Sequence, residues 1–363
     1  MTTSSVAIAG STGGRLKQWL WADVAGLPVA VWAYVACFVV AVFGLLWDGG
    51  WHASWGRDTF FIPPHNMLYA AVTFVLGLST FIIVRDASDL ADPALTRLGP
   101  FRAPLGVWTS FAGCMMLIGA APFDEWWHRT FGRDDGTGLW SPPHFIGMVG
   151  GLLVCLGIIV TLRLREKPQM GGDGKPRRLG GLTANDAVTL LMFAYLTFIV
   201  GALSLNFYAI RHWYRYDAFY PILALMFGPT VLVLAQRLTG RAGAATVALT
   251  IPFALIGGMG LVLRAAHYPI VVSLPVMAFP SAILLDMFYA RFGSGYRWLL
   301  VAGPLAALVF YPSEFGWAWL LNGRITWPLA DALRALPLAM IAATLSVLLG
   351  AWIAGRFERL RRV

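Results

Sequence analysis

Apolar residues in this chain gather into long runs separated by short polar breaks. Ten runs stand out, at about 27–47, 65–84, 104–122, 144–163, 186–205, 218–236, 244–263, 268–290, 297–312 and 331–355. Most approach the ~20 residues a helix needs to cross a bilayer. A segment in lipid must satisfy its own backbone hydrogen bonds, so runs of this length become helices. The pattern predicts an all-α fold, a polytopic integral membrane helical bundle of about ten transmembrane helices. The longest break, "RLREKPQMGGDGKPRRLGGLTAND" from Arg163 to Asp186, is rich in Gly, Pro and basic residues and reads as a cytoplasmic linker. It divides the chain into a four-span half (1–165), a linker (166–185) and a six-span half (186–363).

Composition agrees with that reading. The chain is 58% hydrophobic and 12% charged, where a soluble domain carries about 25% charged residues. The net charge of +9 would suit a nucleic-acid partner, but its distribution argues for a lipid bilayer instead. With the N-terminus inside, nineteen of the 27 Lys and Arg residues fall on cytoplasmic segments, the positive-inside asymmetry. Both termini are then cytoplasmic, in a bacterial inner membrane, and no nucleic acid is implied. The polar residues 1–26 lead into the first span without a small-residue cleavage site, which reads as a retained anchor. Cys37, Cys114 and Cys155 fall inside predicted spans with no CxxC spacing, as small buried apolar groups do. Walker, GxSxG, HExxH and dinucleotide fingerprints are absent from the sequence, so nucleotide-driven transport and hydrolase chemistry find no support.

The chemistry lies in a repeat. "DGGWHASWGRDTFFIPPH" (48–65) and "DEWWHRTFGRDDGTGLWSPPH" (124–144) share D-x-x-x-H-x-x-x-G-R-D and both close on Pro-Pro-His, with three extra residues in the second copy. Asp48 and His52, like Asp124 and His128, stand four apart, which puts carboxylate and imidazole on one helix face. His65 and His144 follow Pro-Pro pairs where a new helix would begin, placed to turn back toward the first pair. Each copy therefore supplies two imidazoles and a carboxylate, a set that suits a redox metal: non-haem iron generically, copper and zinc with the same ligands. Arg57, Asp58, Arg133 and Asp134 read as ion-pair residues orienting these ligands. Glu125 and Asp135 are substitute ligands at the second site. All six histidines fall on the outer side of the predicted topology. His212 and His267 lack partners at ligand spacing and read as interfacial hydrogen-bonding residues. Asp286 reads as a snorkelling acid or the partner of Arg291.

On these residues the chain resembles the copper membrane monooxygenases, the family of particulate methane and ammonia monooxygenases. Its C subunit carries D-x3-H-x12-H, a spacing that Asp48, His52 and His65 match without a gap, and "WHASWGRDTFFIPPH" (51–65) is similar to the family's overlapping WHxxxxRDTxFxPxH. The resemblance implies that these three residues ligate a catalytic metal, usually copper. A second set in that subunit, an Asn and two His, is similar to Asp124, His128 and His144. The Asp in place of Asn opens this site to zinc as well as copper. "FPSAILLD" (279–286) and "FYPSEFGW" (310–317) resemble the A subunit's PSALxLD and FYPxNWP segments. The chain then reads as a fusion of C-like and A-like halves, a membrane-bound copper-dependent monooxygenase hydroxylating a small apolar substrate with dioxygen. The same resemblance implies a separate cupredoxin-domain B-like subunit and a homotrimer. The alternative is a metal-binding membrane protein, handling metal or serving structure, without oxygenase activity.

The charge asymmetry generates the first test. Reporters fused to either terminus should be active in the cytoplasm, and a periplasmic terminal reporter would overturn the orientation.

Overall fold

The computed structural model of the protein describes residues 19–56, 60–85, 95–132, 140–165, 170–171, 176–177, 179–209, 219–269, 278–322 and 329–362. Ten helices of these residues correspond to the ten apolar runs: α1 (Val29–Trp55), α2 (Pro63–Arg85), α3 (Leu105–Phe131), α4 (Pro142–Arg165), α5 (Ala184–Ala209), α6 (Phe219–Thr239), α7 (Ala244–Ala265), α8 (Phe279–Phe292), α9 (Leu299–Asn322) and α10 (Leu329–Arg362). Eight are long and apolar enough to cross a membrane. The chain is a multi-pass helical membrane bundle.

Two elements depart from the expected spans. The run at 268–290 was expected to cross as one helix, but α8 has only 14 residues and begins at Phe279, with Pro280 in its first turn. Residues 270–277 lie outside the described residues. Conversely, the run at 297–312 underestimates α9, which has 24 residues. Glu314 interrupts the apolar pattern there but lies buried on a helix that continues past it.

The first half repeats far more than its polar motif. Pro28, Trp32, Asp48, His52 and Gly56 recur 76 positions later as Pro104, Trp108, Asp124, His128 and Gly132. A small β-hairpin precedes each long helix: β1 (Asp23–Val24) with β2 (Leu27–Pro28), and β3 (Leu95–Leu98) with β4 (Phe101–Pro104). The first turns through Ala25 and Gly26 at positive φ, with the Gly26 N–H donating to Asp23 Oδ1 at 2.9 Å. Trp32 and Trp108, each at the fourth helical position, donate their indole N–H back to a strand carbonyl, Val24 at 2.8 Å and Thr96 at 3.0 Å. Each unit then runs as a long helix, a Gly break, a loop and a Pro-Pro helix.

The two helical hairpins are closed differently. Gly106, Gly113, Gly150 and Gly157 line the α3–α4 seam, where a Cβ on Gly113 would come within 2.5 Å of the Gly150 carbonyl oxygen. A Cβ on Gly157 would collide with Ser110 Oγ and the Gly106 carbonyl. Small residues let membrane helices approach until their backbones touch. On the α1–α2 seam Gly44 has that role more loosely, since a Cβ there would lie 3.3 Å from the Pro64 oxygen.

Ionic clasps gather at the opposite end of the bundle from the two motifs. Asp186, at the start of α5, accepts from Arg163 of α4 at 2.8 Å and from Arg241, beside the α6–α7 turn, at 2.6 Å. Both guanidiniums are fully buried, and Arg241 also donates to the Gly180 and Gly181 carbonyls at 2.8 and 2.9 Å. Asp286 is neither a snorkelling acid nor the partner of Arg291, which lies over the Phe292 ring. Its carboxylate accepts from the Thr246 N–H and hydroxyl at 2.9 and 2.7 Å and from Gln236 at 2.8 Å. It therefore sits on the positive end of α7, where an anion is favoured. One hydrophobic cluster runs from Leu27 through Phe193 and Leu238 to Ala354, so both halves share a core.

The seam predicts an asymmetry between glycines of one helix. Gly113→Ala should destabilise the protein by about 1–3 kcal/mol through overpacking. Gly119→Ala, with nothing within 4 Å, should be neutral or slightly stabilising. Thermal unfolding in one detergent compares them, and equal midpoints would contradict the seam.

Candidate metal centres

Each motif occupies a helix end, a break and a helix start. α1 continues past Asp48 and His52 to Gly56, whose N–H caps the His52 carbonyl at 3.1 Å; Gly132 does the same for His128, at 3.1 Å. Gly56 has φ 72° and ψ −177°, and Gly132 has φ 89° and ψ 169°. Only glycine enters this backbone region readily, which explains the G of G-R-D. α2 and α4 then start on their Pro-Pro pairs, whose fixed φ suits a first turn and whose missing N–H groups need no partner there. His65 and His144 are thereby set in the first turn, facing back toward the preceding helix.

The six residues form two clusters. Asp48 Oδ1 lies 3.2 Å from His52 Nε2 and 2.9 Å from His65 Nε2. Asp124 Oδ1 lies 3.3 Å from His128 Nε2 and 3.5 Å from His144 Nε2. In each trio the donor atoms lie within 4.8 Å of one another. Ligands about 2.1 Å from a single ion stand roughly 3.0–3.4 Å apart in octahedral or tetrahedral geometry, so the carboxylate–imidazole distances already match a shared ion.

Hydrogen bonding on the far side of the rings sharpens the point. His65 Nδ1 faces the Phe60 carbonyl at 3.1 Å, and His128 Nδ1 faces the Gly132 carbonyl at 3.2 Å. A carbonyl can only accept, so Nδ1 carries the hydrogen in both rings. Nε2 is then the atom turned toward the carboxylate oxygen, as a lone pair in the neutral ring and as a donor in the protonated one. Two acceptors 2.9 Å apart, as at His65 and Asp48, repel unless a proton or a cation lies between them. His144 Nδ1 is held by Ser141 Oγ at 2.8 Å. The donor set and its outer partners fit a divalent or redox metal.

Both clusters face one chamber. A cavity of about 210 Å³ lies among α1–α4, with Tyr195 and Ile199 of α5 lining one side. Asp48, His65, Asp124 and His144 all line it, and the remaining wall is almost wholly apolar. No family model, curated protein or solved structure matches the chain. Its chemistry is therefore argued from its own residues.

Several expectations resolve here. The structure brings Asp48, His52 and His65 together, and separately Asp124, His128 and His144. Glu125 turns away, accepting from Arg129 Nε at 2.7 Å. Arg57, Asp58, Arg133, Asp134, Asp135 and His212 lie outside the described residues. His267 is exposed at the end of α7, at φ 64°. Cys114 and Cys155 are buried as expected, whereas Cys37 is partly buried and lines the chamber with Cys114. Sequence reasoning missed Ser141, the Phe60 carbonyl and an aromatic ladder. Trp47, Trp51 and Trp55 stand four apart immediately behind the ligands, with Tyr268 of the α7 end stacked on Trp51 at 6.1 Å. Phe123, Trp127 and Phe131 repeat the ladder at the second site. The signal was legible, since an aromatic residue directly precedes Asp48, His52 and Gly56 and likewise Asp124, His128 and Gly132.

The break geometry gives a direct test. Gly56→Ala and Gly132→Ala should each cost about 1–3 kcal/mol from backbone strain alone, although nothing lies within 4 Å of either added Cβ. Hydrogen exchange should show the loosening confined to the affected hairpin, and unchanged exchange would refute the strained break.

Proposed function

We propose that the chain is a membrane-bound copper-dependent monooxygenase, or a subunit of one, that hydroxylates a small apolar substrate with dioxygen. The observation that carries this reading is the convergence of two repeated Asp/His/His trios on one apolar chamber inside a membrane bundle. Ionisable groups at membrane depth are costly and usually functional.

Asp48, His52 and His65 would hold the catalytic copper, whose one-electron redox chemistry and affinity for dioxygen are what such a site supplies. The chain's own groups do the rest. The Phe60 carbonyl fixes the His65 tautomer and aims its Nε2. The Asp48 carboxylate offsets cationic charge that the low-dielectric surroundings would otherwise penalise. The apolar wall excludes water and favours a substrate without polar groups. At the second site Asp124 stands where the resembled family has an Asn; it adds a negative charge relative to that pattern, so the site would accept zinc as well as copper. The resemblance supports the wider setting: C-like and A-like halves in one chain, a bacterial inner membrane with the clusters on the periplasmic side, a separate cupredoxin-domain B-like subunit, and a homotrimer.

Metal analysis of the purified full chain tests the reading. Two ions per chain are expected, with His52→Ala losing one and His128→Ala the other. Ser141→Ala should weaken the second site about 10–100-fold and leave the first unchanged. Oxygen uptake with an apolar substrate should fail in His52→Ala. A metal-free wild-type chain would sink the proposal, and metal binding without any oxygen consumption would favour the metal-handling alternative.

A further inference from the structure

The chamber's shape says more about its occupant than its polarity does. On α1 its wall runs from Tyr34 through Cys37, Phe38, Ala41, Val42 and Leu45 to Asp48, a single helix face. At 1.5 Å per residue, Tyr34 to Asp48 spans about 21 Å. On α3 the wall runs from Cys114 to Asp124, about 15 Å by the same rise. The space exists because small side chains sit where a packed bundle would carry large ones: Ala41, Ala71, Ala121, Gly147 and Gly151 all line it. Polar atoms gather at its ends. The carboxylates and imidazoles are at one, and the Tyr34 hydroxyl, paired with Ser79 at 2.8 Å, is at the other.

A volume of 210 Å³ spread along ~15 Å is a slot, narrow for its length. A cavity of about 150 Å³ lined by Leu, Ile and Phe holds the six carbons of benzene. By that scale 210 Å³ suits roughly eight carbons, and the slot requires them in line. We propose that the chamber takes a linear alkyl chain of about eight carbons, lying along the bundle axis with one end between Asp48 and Asp124. This rests on the monooxygenase reading for its purpose, since the chain's end would be the position presented to the clusters. Binding itself needs no metal. The chain is either a free hydrocarbon or the acyl tail of a membrane lipid, which share one chemistry.

Photolabelling of the full chain in phosphatidylcholine nanodiscs tests it, with an octyl diazirine as probe and peptide mass spectrometry as readout. Saturable labelling is expected at chamber residues such as Ala41, Leu117 and Gly147. n-Octane should compete at least about tenfold better than cyclooctane, the scale on which an apolar pocket discriminates shape. Ala121→Phe should abolish chamber labelling, whereas Gly119→Phe, on the exposed face of the same helix, should not. Gly147→Ala, whose Cβ would meet Ala120 at an ordinary 3.7 Å, is the milder narrowing variant if Ala121→Phe fails to fold. A diazirine phospholipid labelling the same residues, with octane competing, identifies the occupant as a lipid tail. Labelling confined to outward residues such as Leu261 identifies it as a free hydrocarbon. Equal competition by cyclooctane, or chamber labelling as unsaturable as that of Leu261, overturns the proposal. Repeating the assay in the His52→Ala/His128→Ala double variant separates the two readings, because chain binding should persist there whether or not the wild-type protein holds metal.

Discussion

A carboxylate at the end of a membrane-spanning helix must be met by donors or a cation, because leaving it unpaired in a low-dielectric interior costs several kcal/mol. Asp48 and Asp124 both face this constraint, and much of the first half is arranged around it. The helical spacing brings one imidazole onto each carboxylate. A Gly-only backbone break turns the chain, and a Pro-Pro start returns a second imidazole from the next helix. With Nδ1 held by the Phe60 carbonyl, His65 turns its Nε2 onto Asp48 Oδ1 at 2.9 Å. Each trio thereby gathers one carboxylate oxygen and two imidazole nitrogens within 4.8 Å of one another.

The same electrostatic problem is solved differently at the other end of the bundle. Asp186 is shared by two buried arginines whose remaining donors reach Thr189 and backbone carbonyls, while Asp286 rests on a helix N-terminus. Those carboxylates have complete sets of protein donors. Their role is to clasp α4, α5, α6, α7 and α8 where polar linkers meet the bundle. Acids supplied with arginine or backbone N–H groups tie elements together; Asp48 and Asp124 meet imidazoles instead, the donor set that the proposed metal would use.

Packing then decides where empty space can exist. The glycine seam draws α3 and α4 into backbone contact, so that hairpin is rigid and thin. The α1–α2 hairpin lacks such a seam, and the alanines on its inner face leave room between the two units. Tyr195 and Ile199 of α5 line one side. The second half therefore contributes wall to a chamber whose Asp and His residues all belong to the first.

The sequence alone determined the class of fold, because long apolar runs leave a backbone in lipid no choice but helix. It also determined the two trios, since Asp and His four apart share a helix face and Pro-Pro-His marks a helix start. It misjudged the helix beginning at Phe279 and the true length of α9. Hydropathy counts side chains and does not register an N-terminal proline or a buried Glu314. The partners of Asp286 and the Nδ1 partners of the histidines were not legible either, since they depend on which backbone groups approach from elsewhere. Only the tertiary structure decided that both trios open onto one narrow chamber. Its width follows from small residues on four helices at once, and that is a property of how the helices pack against one another.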